Sequence, residues 1–159
     1  MTKADARFED GAERPIRLAA ADAEDLAVIS ALVQDAVLPA SEMTWDRARR
    51  RFALLLNRFR WEDRALAERT GRPAERVQSL LVIEDVTGVA SQGLDRHQPG
   101  LVLSLLALDW EPGEDGQGHL VLTFAGDGAV RLSAECLDVV LRDVTLPYAA
   151  PSRRVPSHD

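Results

Sequence analysis

From residue 77 onward, apolar and polar positions follow the two-residue period of a β-strand. The segment VQSLLVIEDVTGVASQG (77–93) is rich in aliphatic and β-branched residues, and Gly88 marks a bend or bulge within it. LVLSLLALDW (101–110) is apolar at both parities, the pattern of a central strand covered on both faces. HLVLTFAGDGAVRLSA (119–134) carries the sharpest local signal. A three-residue loop, Gly126-Asp127-Gly128, pairs Phe124 with Val130 and Leu122 with Leu132. It predicts a hairpin closed through a G1 bulge, with the positive φ at Gly128. ECLDVVLRDV (135–144) fits both periods. Leu137, Val140, Leu141 and Val144 would form a helix face, while Leu137, Val139 and Leu141 would form a strand face.

Upstream, PIRLAA (15–20) reads as a short first strand. DAEDLAVISALVQDAVLP (22–39) is the clearest helix in the chain. Asp22 is its expected N-cap, Glu24 and Asp25 complement the first-turn dipole, and Pro39 bars extension. Leu26, Ile29, Leu32 and Val33 fall on one face.

The stretch WDRARRRFALLLNRFRWED (45–63) is harder. Trp45, Ala48, Phe52, Leu55, Leu56 and Phe59 outline an amphipathic helix that omits Leu54. A hairpin accounts for all the aromatics: EMTW ascends, DRAR turns, and RFALLLNRFRW descends, with Asp46 suited to the first position of a type I turn. The hairpin is preferred. The sum is an α+β domain over 15–148, with an N-terminal helix packed on a mainly antiparallel sheet or small barrel of roughly six or seven strands. A pleckstrin-homology-like barrel is one concrete analogue. Residues 1–14 and 149–159, polar and without periodicity, read as flexible tails.

Composition narrows the functional classes. The 159 residues carry a net charge of −7, and Cys136 is the only cysteine, so no intramolecular disulfide or thiolate zinc cluster can form. No apolar run approaches the length of a membrane span, and no secretory h-region opens the sequence, so a cytoplasmic location and no membrane association are expected. The charge is uneven. Residues 42–76 hold ten basic and six acidic groups, so nucleic-acid binding, disfavoured by the net charge, would fall to Arg47, Arg49, Arg50 and Arg51. Solvated arginines on a sheet edge are the simpler reading.

The segments SALVQDAVLP, RRFALLLNRFRWE and LTFAGDGAVRLSAECLDVVLRDV resemble those of a family of short bacterial proteins, mainly alphaproteobacterial. That family carries only a domain-of-unknown-function label. The similarity covers roughly 16–145, and its recurring words are similar to QDA (34–36), NRFRWE (57–62) and AGDGAVRL (125–132). The resemblance implies no activity.

The residues themselves carry few chemical signatures. His97, His119 and His158 lack ligand spacing, and no metal or cofactor is expected. DWEPGEDGQG (109–118) has the carboxylates of a calcium loop but places Leu120 where a bidentate Glu is required. There is no G-x-S-x-G, and Cys136 reads as an inert buried thiol. What stands out is a polar set, Gln34, Asn57, Arg58 and Glu62, with Trp61 as a wall. It is either a buried network joining helix to sheet or a ligand pocket. A non-catalytic module that binds a protein partner or a second copy of itself is the favoured function. A small-ligand binder or enzyme built on the polar set, and a nucleic-acid-associated protein, are the alternatives.

Overall fold

The computed structural model describes residues 15–95 and 98–149. Eleven strands and two α-helices follow one another along the chain. They are β1 (Arg17–Ala20), α1 (Ala23–Leu32), β2 (Ala36–Pro39), β3 (Met43–Asp46), β4 (Arg51–Phe59), α2 (Arg64–Thr70), β5 (Glu75–Ile83), β6 (Val86–Gln92), β7 (Val102–Pro112), β8 (Gly118–Phe124), β9 (Ala129–Ala134), β10 (Val139–Asp143) and β11 (Tyr148–Ala149). All ladders are antiparallel, and the order is β1-β10-β5-β4-β2-β7-β8-β9-β6, with β3 added to β4 and β11 to β5. The path is open in its hydrogen bonding, and eleven strands replace the six or seven expected.

Chain connectivity makes this sheet curl. β6 begins three residues after β5 ends, yet lies six ladder steps away along the path. Six steps across a flat sheet are roughly 29 Å. Three peptide units reach at most about 11 Å. The link from β9 to β10 makes the same jump in the opposite sense. The two links meet side by side: the Glu84 amide donates to the Asp138 carbonyl at 2.9 Å, and the Glu135 amide to the Asp85 carbonyl at 3.0 Å. Around this junction the sheet closes on a single core of inward aliphatics and Phe52 and Phe124, to which α1 contributes Leu26 and Ile29.

The helix begins where the pattern placed it, with Asp22 Oδ1 accepting from the Asp25 amide at 2.7 Å. It ends earlier than expected. Asp35 takes a left-handed φ of 65°, and the residues expected to extend the helix form β2 instead. Ala36 and Leu38 share one strand face and are buried on it, with Val37 half-buried on the other, so a strand covers this apolar run as well as a helix would.

The basic stretch is a hairpin. β3 pairs with β4, Met43 opposite Leu54 and Asp46 opposite Arg51, and Asp46 Oδ1 accepts from the Arg49 amide in the turn. The hairpin of β8 and β9 is also present, with a different register: Leu122 faces Val130 and Leu120 faces Leu132. The slip from the expected pairing is two residues, so every side chain keeps its face. Positive φ falls on Gly126 and Asp127 rather than Gly128. A Cβ at Gly128 would press on the Leu94 side chain, which would have to shift to admit it. Gly88 does sit at a bulge in the β6–β9 ladder, and residues 139–143 resolve the ambiguity after Cys136 as strand.

α2 was not anticipated. Arg64 and Glu68 pair one turn apart at 3.1 Å, and Gly71 closes the helix at φ 70° before Pro73. Among the described residues no helix is long and apolar enough to cross a membrane. The expected tail at 1–14 lies outside the described residues, as does that at 149–159 apart from Ala149, which pairs with Glu75 in β11.

Candidate functional site

Alternation along β4 divides the polar set in two. Arg58 points inward and is fully buried. All five of its N–H donors are taken. Nη1 and Nη2 fork onto the two Glu62 oxygens at 2.9 and 2.8 Å, Nη2 also reaches Asp143 at 3.0 Å, Nε donates to Ser79 Oγ at 3.0 Å, and Nη1 reaches the Phe59 carbonyl at 3.4 Å. Ser79 Oγ and the Ile16 amide donate in turn to Asp143, at 2.7 and 2.9 Å. Burial works to lower the Arg58 pKa, but the hydrogen bonds and charge of Glu62, then those of Asp143, outweigh it, and the net shift is upward. The guanidinium is therefore locked as a cation with no donor left for a ligand. Asp143 and Ser79, its partners from β10 and β5, had no signal in the local sequence.

Asn57 points outward, away from Arg58. Its Nδ2 donates to the Tyr148 hydroxyl at 2.7 Å, tying β11 to the sheet, and Arg76 Nη1 donates to its backbone carbonyl at 3.2 Å. Burial lowers the pKa of Arg76 against the opposing charge of Tyr148 and Asp35. Among the described residues Gln34 enters through its backbone, whose carbonyl accepts from Trp61 Nε1 at 3.0 Å. Trp61 lies edge-on to Phe59, with the ring centroids 4.7 Å apart, and Arg64 sits over its face. The structure thus joins Arg58 to Glu62, links Trp61 to the Gln34 backbone, and sets Asn57 on the other face of the sheet.

Arg47, Arg49, Arg50 and Arg51 crowd the β3–β4 turn as expected, but two of them are neutralised at the strand links. Arg50 holds a left-handed φ of 55°, its guanidinium pairs with Glu135 and Asp85, and its carbonyl accepts from the Val86 amide at 2.9 Å. Arg51 pairs with Glu84. Arg49 makes a loose contact to Asp46 at 3.9 Å. The turn clamps the junction of the links more than it offers a cationic face.

Cys136 is exposed in that junction, contrary to the buried thiol expected, because it sits in the β9–β10 link and not within a strand. Its thiol donates to Asp85 at 3.2 Å. That hydrogen bond, with burial and the surrounding carboxylates, pushes its pKa up. Among the described residues no group of three or more His, Cys, Asp or Glu is placed to hold a metal.

Two features that sequence patterns did not single out remain. The outward face of the central strands is apolar at its middle. Leu55, Leu80, Arg142 and Arg17 stand in register across four strands, and Ala53, Val82, Val140 and Ala19 form the adjoining row. Leu55, Leu80, Val82 and Val140 are all partly exposed. Arg17 and Arg142 are directly opposed and exposed, and neither pairs with a carboxylate among the described residues. The second feature is a hollow of about 190 Å³ between α2 and the start of β5, walled by Arg60, Asp63, Arg72 and Glu75.

A family model described as a protein of unknown function (DUF2948) matches residues 16–158. Searches of curated proteins and of solved structures return no match.

Proposed function

The chain belongs to the DUF2948 family of proteins of unknown function, and we propose that it works as a non-catalytic binding module. In this reading the outward face of β4, β5 and β10 docks a protein partner that is acidic around an apolar centre. The observation that carries it is the row Leu55–Leu80–Arg142–Arg17. Like charges directly opposed across a ladder destabilise a sheet. Placing two arginines there, beside aliphatics that are only partly covered, costs stability in the free protein and is offset when a partner supplies carboxylates and apolar surface.

The saturation of Arg58 supports the same reading, since a guanidinium with every donor taken favours a structural task for Arg58 and Glu62 over a ligand pocket. The pairing of Arg50 and Arg51 with carboxylates counts against a nucleic-acid surface at the β3–β4 turn. The likeness to a pleckstrin-homology-like barrel belongs to this proposal as one of role, a curved antiparallel sheet used as a docking platform. A cytoplasmic site of action fits the single, unbridged cysteine.

The test compares baits in the native cell extract: wild type, Leu55→Asp/Leu80→Asp, and Arg17→Glu/Arg142→Glu, each first shown to melt cooperatively. The expected result is an acidic protein retained by wild type, lost with both variants, and released as salt rises. The same set of proteins on all three baits would sink the proposal. So would gel filtration showing a dimer that both variants dissolve, since the occupant would then be a second copy.

A further inference from the structure

The outward face of β4, β5 and β10 adjoins β1, the strand that residues 1–14 lead into. β1 starts at Arg17, the last member of the row Leu55–Leu80–Arg142–Arg17. Pro15 and Arg17 are both exposed, so nothing described covers the entry to β1. Val144 carries the apolar area further along the same side of β10. Its amide donates to the Gln78 carbonyl at 2.8 Å, and its side chain is exposed. The face therefore sets aliphatic side chains beside two guanidinium groups that pair with no carboxylate among the described residues.

The sequence just upstream complements this surface. FEDGAE (8–13) holds three acids, Glu9, Asp10 and Glu13, one large apolar side chain, Phe8, and no base. Lys3, Arg7 and Arg14 all fall outside it. Reach is sufficient. Leu80 lies two ladder steps from β1 and Leu55 three, roughly 10 and 14 Å. The chain from Phe8 to Arg17 extends to about 30 Å, which leaves length for a reversal. A tethered segment also meets the face at an effective concentration near the millimolar range, so contacts too weak to hold a free peptide hold this one.

We propose that residues 8–13 of the same chain occupy this face, folding back over β1 and β10. Glu9, Asp10 and Glu13 lie on Arg17 and Arg142, and Phe8 lies on Leu80 and Leu55. Gly11 supplies the reversal. The inference rests on the reading of the face as a surface for acidic and apolar groups, and it adds a regulation of that face: a partner gains access by displacing the segment.

The test is made on the full chain with the photoreactive analogue p-benzoylphenylalanine in place of Phe8, followed by mass spectrometry of the cross-linked peptides. The expected product has the mass of one chain and joins residue 8 to peptides containing Leu55, Leu80, Val82 or Val140. Arg17→Glu/Arg142→Glu should lower its yield roughly fivefold, and adding Glu9→Arg/Asp10→Arg should restore it, since the charges are then exchanged. Links scattered over the surface, links only at the mass of two chains, or a yield indifferent to the charge reversal would overturn the proposal. Native-extract baits separate it from the reading beneath it. Glu9→Arg/Asp10→Arg alone opens the face and should retain more of the acidic protein than wild type. Charge-dependent cross-links with no acidic protein on any bait would uphold the segment and sink the partner. An acidic protein retained equally by wild type and Glu9→Arg/Asp10→Arg, with scattered links, would do the reverse.

Discussion

Asn57 and Arg58 are consecutive on β4 yet serve opposite faces of the sheet, Asn57 bonding outward to Tyr148 and Arg58 inward to Glu62 and Asp143. A strand reverses its side-chain direction at every residue, so neighbours in such a motif share a strand without sharing a site. The two residues therefore serve two attachments: Asn57 fastens β11, and Arg58 fastens β10 and the 3₁₀ turn at Trp61–Asp63.

Replacing Arg58 with Met should destabilise the fold by about 3–5 kcal/mol, since it strands the Asp143 carboxylate, which is only 3% exposed, beside Glu62. Adding Asp143→Asn should recover part of that loss instead of deepening it. Denaturant melts of the two variants measure both effects. A loss below about 1 kcal/mol for Arg58→Met would put the structural role in doubt.

Gly118→Ala should cost about 1–3 kcal/mol by overpacking. A Cβ there would fall on the Glu111 carbonyl oxygen and the Trp110 ring across the β7–β8 ladder, and the backbone on one side cannot simply rotate away. Gly71→Ala meets no atom within 4 Å and bears only the strain of its positive φ, 70°. Its cost should be about 1–2 kcal/mol. Paired melts, with near-UV circular dichroism reporting Trp110, separate crowding from backbone strain.

How much of this was legible follows from the range over which each feature is encoded. The Asp22 cap, the bulge at Gly88 and the two hairpins depend on residues a few positions apart, and the pattern displays them. The end of α1 did not show, because Val37 and Leu38 satisfy either period and only pairing with β7 decides between them. Asp143 lies 85 residues from Arg58, and nothing local in RDV announces a buried ion pair. The Arg17–Arg142 opposition is a product of register, invisible until β1 and β10 are known to be neighbours. α2 had readable signals in Gly71 and Pro73, hidden by the preceding run of arginines.

Cys136 should react slowly with iodoacetamide despite its exposure, because Asp85 and its acidic neighbours disfavour the thiolate that attacks. Asp85→Asn removes that charge, and asparagine tolerates the left-handed φ of 58° at this position. Alkylation rates followed by mass spectrometry should rise in the variant at neutral pH. Equal rates would mean that the hydrogen bond to Asp85 does not govern the thiol.

Asp138 sits among the same carboxylates. Burial, then the charges of Asp85 and Glu84, raise its pKa from the ordinary aspartate value. Between the unfolded and the raised folded value the native state holds more protons, so this group's penalty on stability is present at neutral pH and is relieved as pH falls through that interval. Asp138→Asn should therefore raise the melting temperature at neutral pH. The gap to wild type should narrow toward about pH 4. Thermal melts across that range check the sign; a gap that widens on acidification contradicts it.

The paired strand links also govern the order in which a growing chain can finish its sheet. Among the described residues β1 pairs only with β10, and β10 supplies the second neighbour of β5, so β1 waits for residues 139–143 before it can join the sheet. Until they emerge, the edge of β5 at Ser79–Ile83 is uncovered, with Leu81 and Ile83 unshielded by Leu141 and Val139. Nascent chains shorter than this hold most of the apolar content without its closure. That leaves a late window during synthesis in which this domain depends on protection from its neighbours.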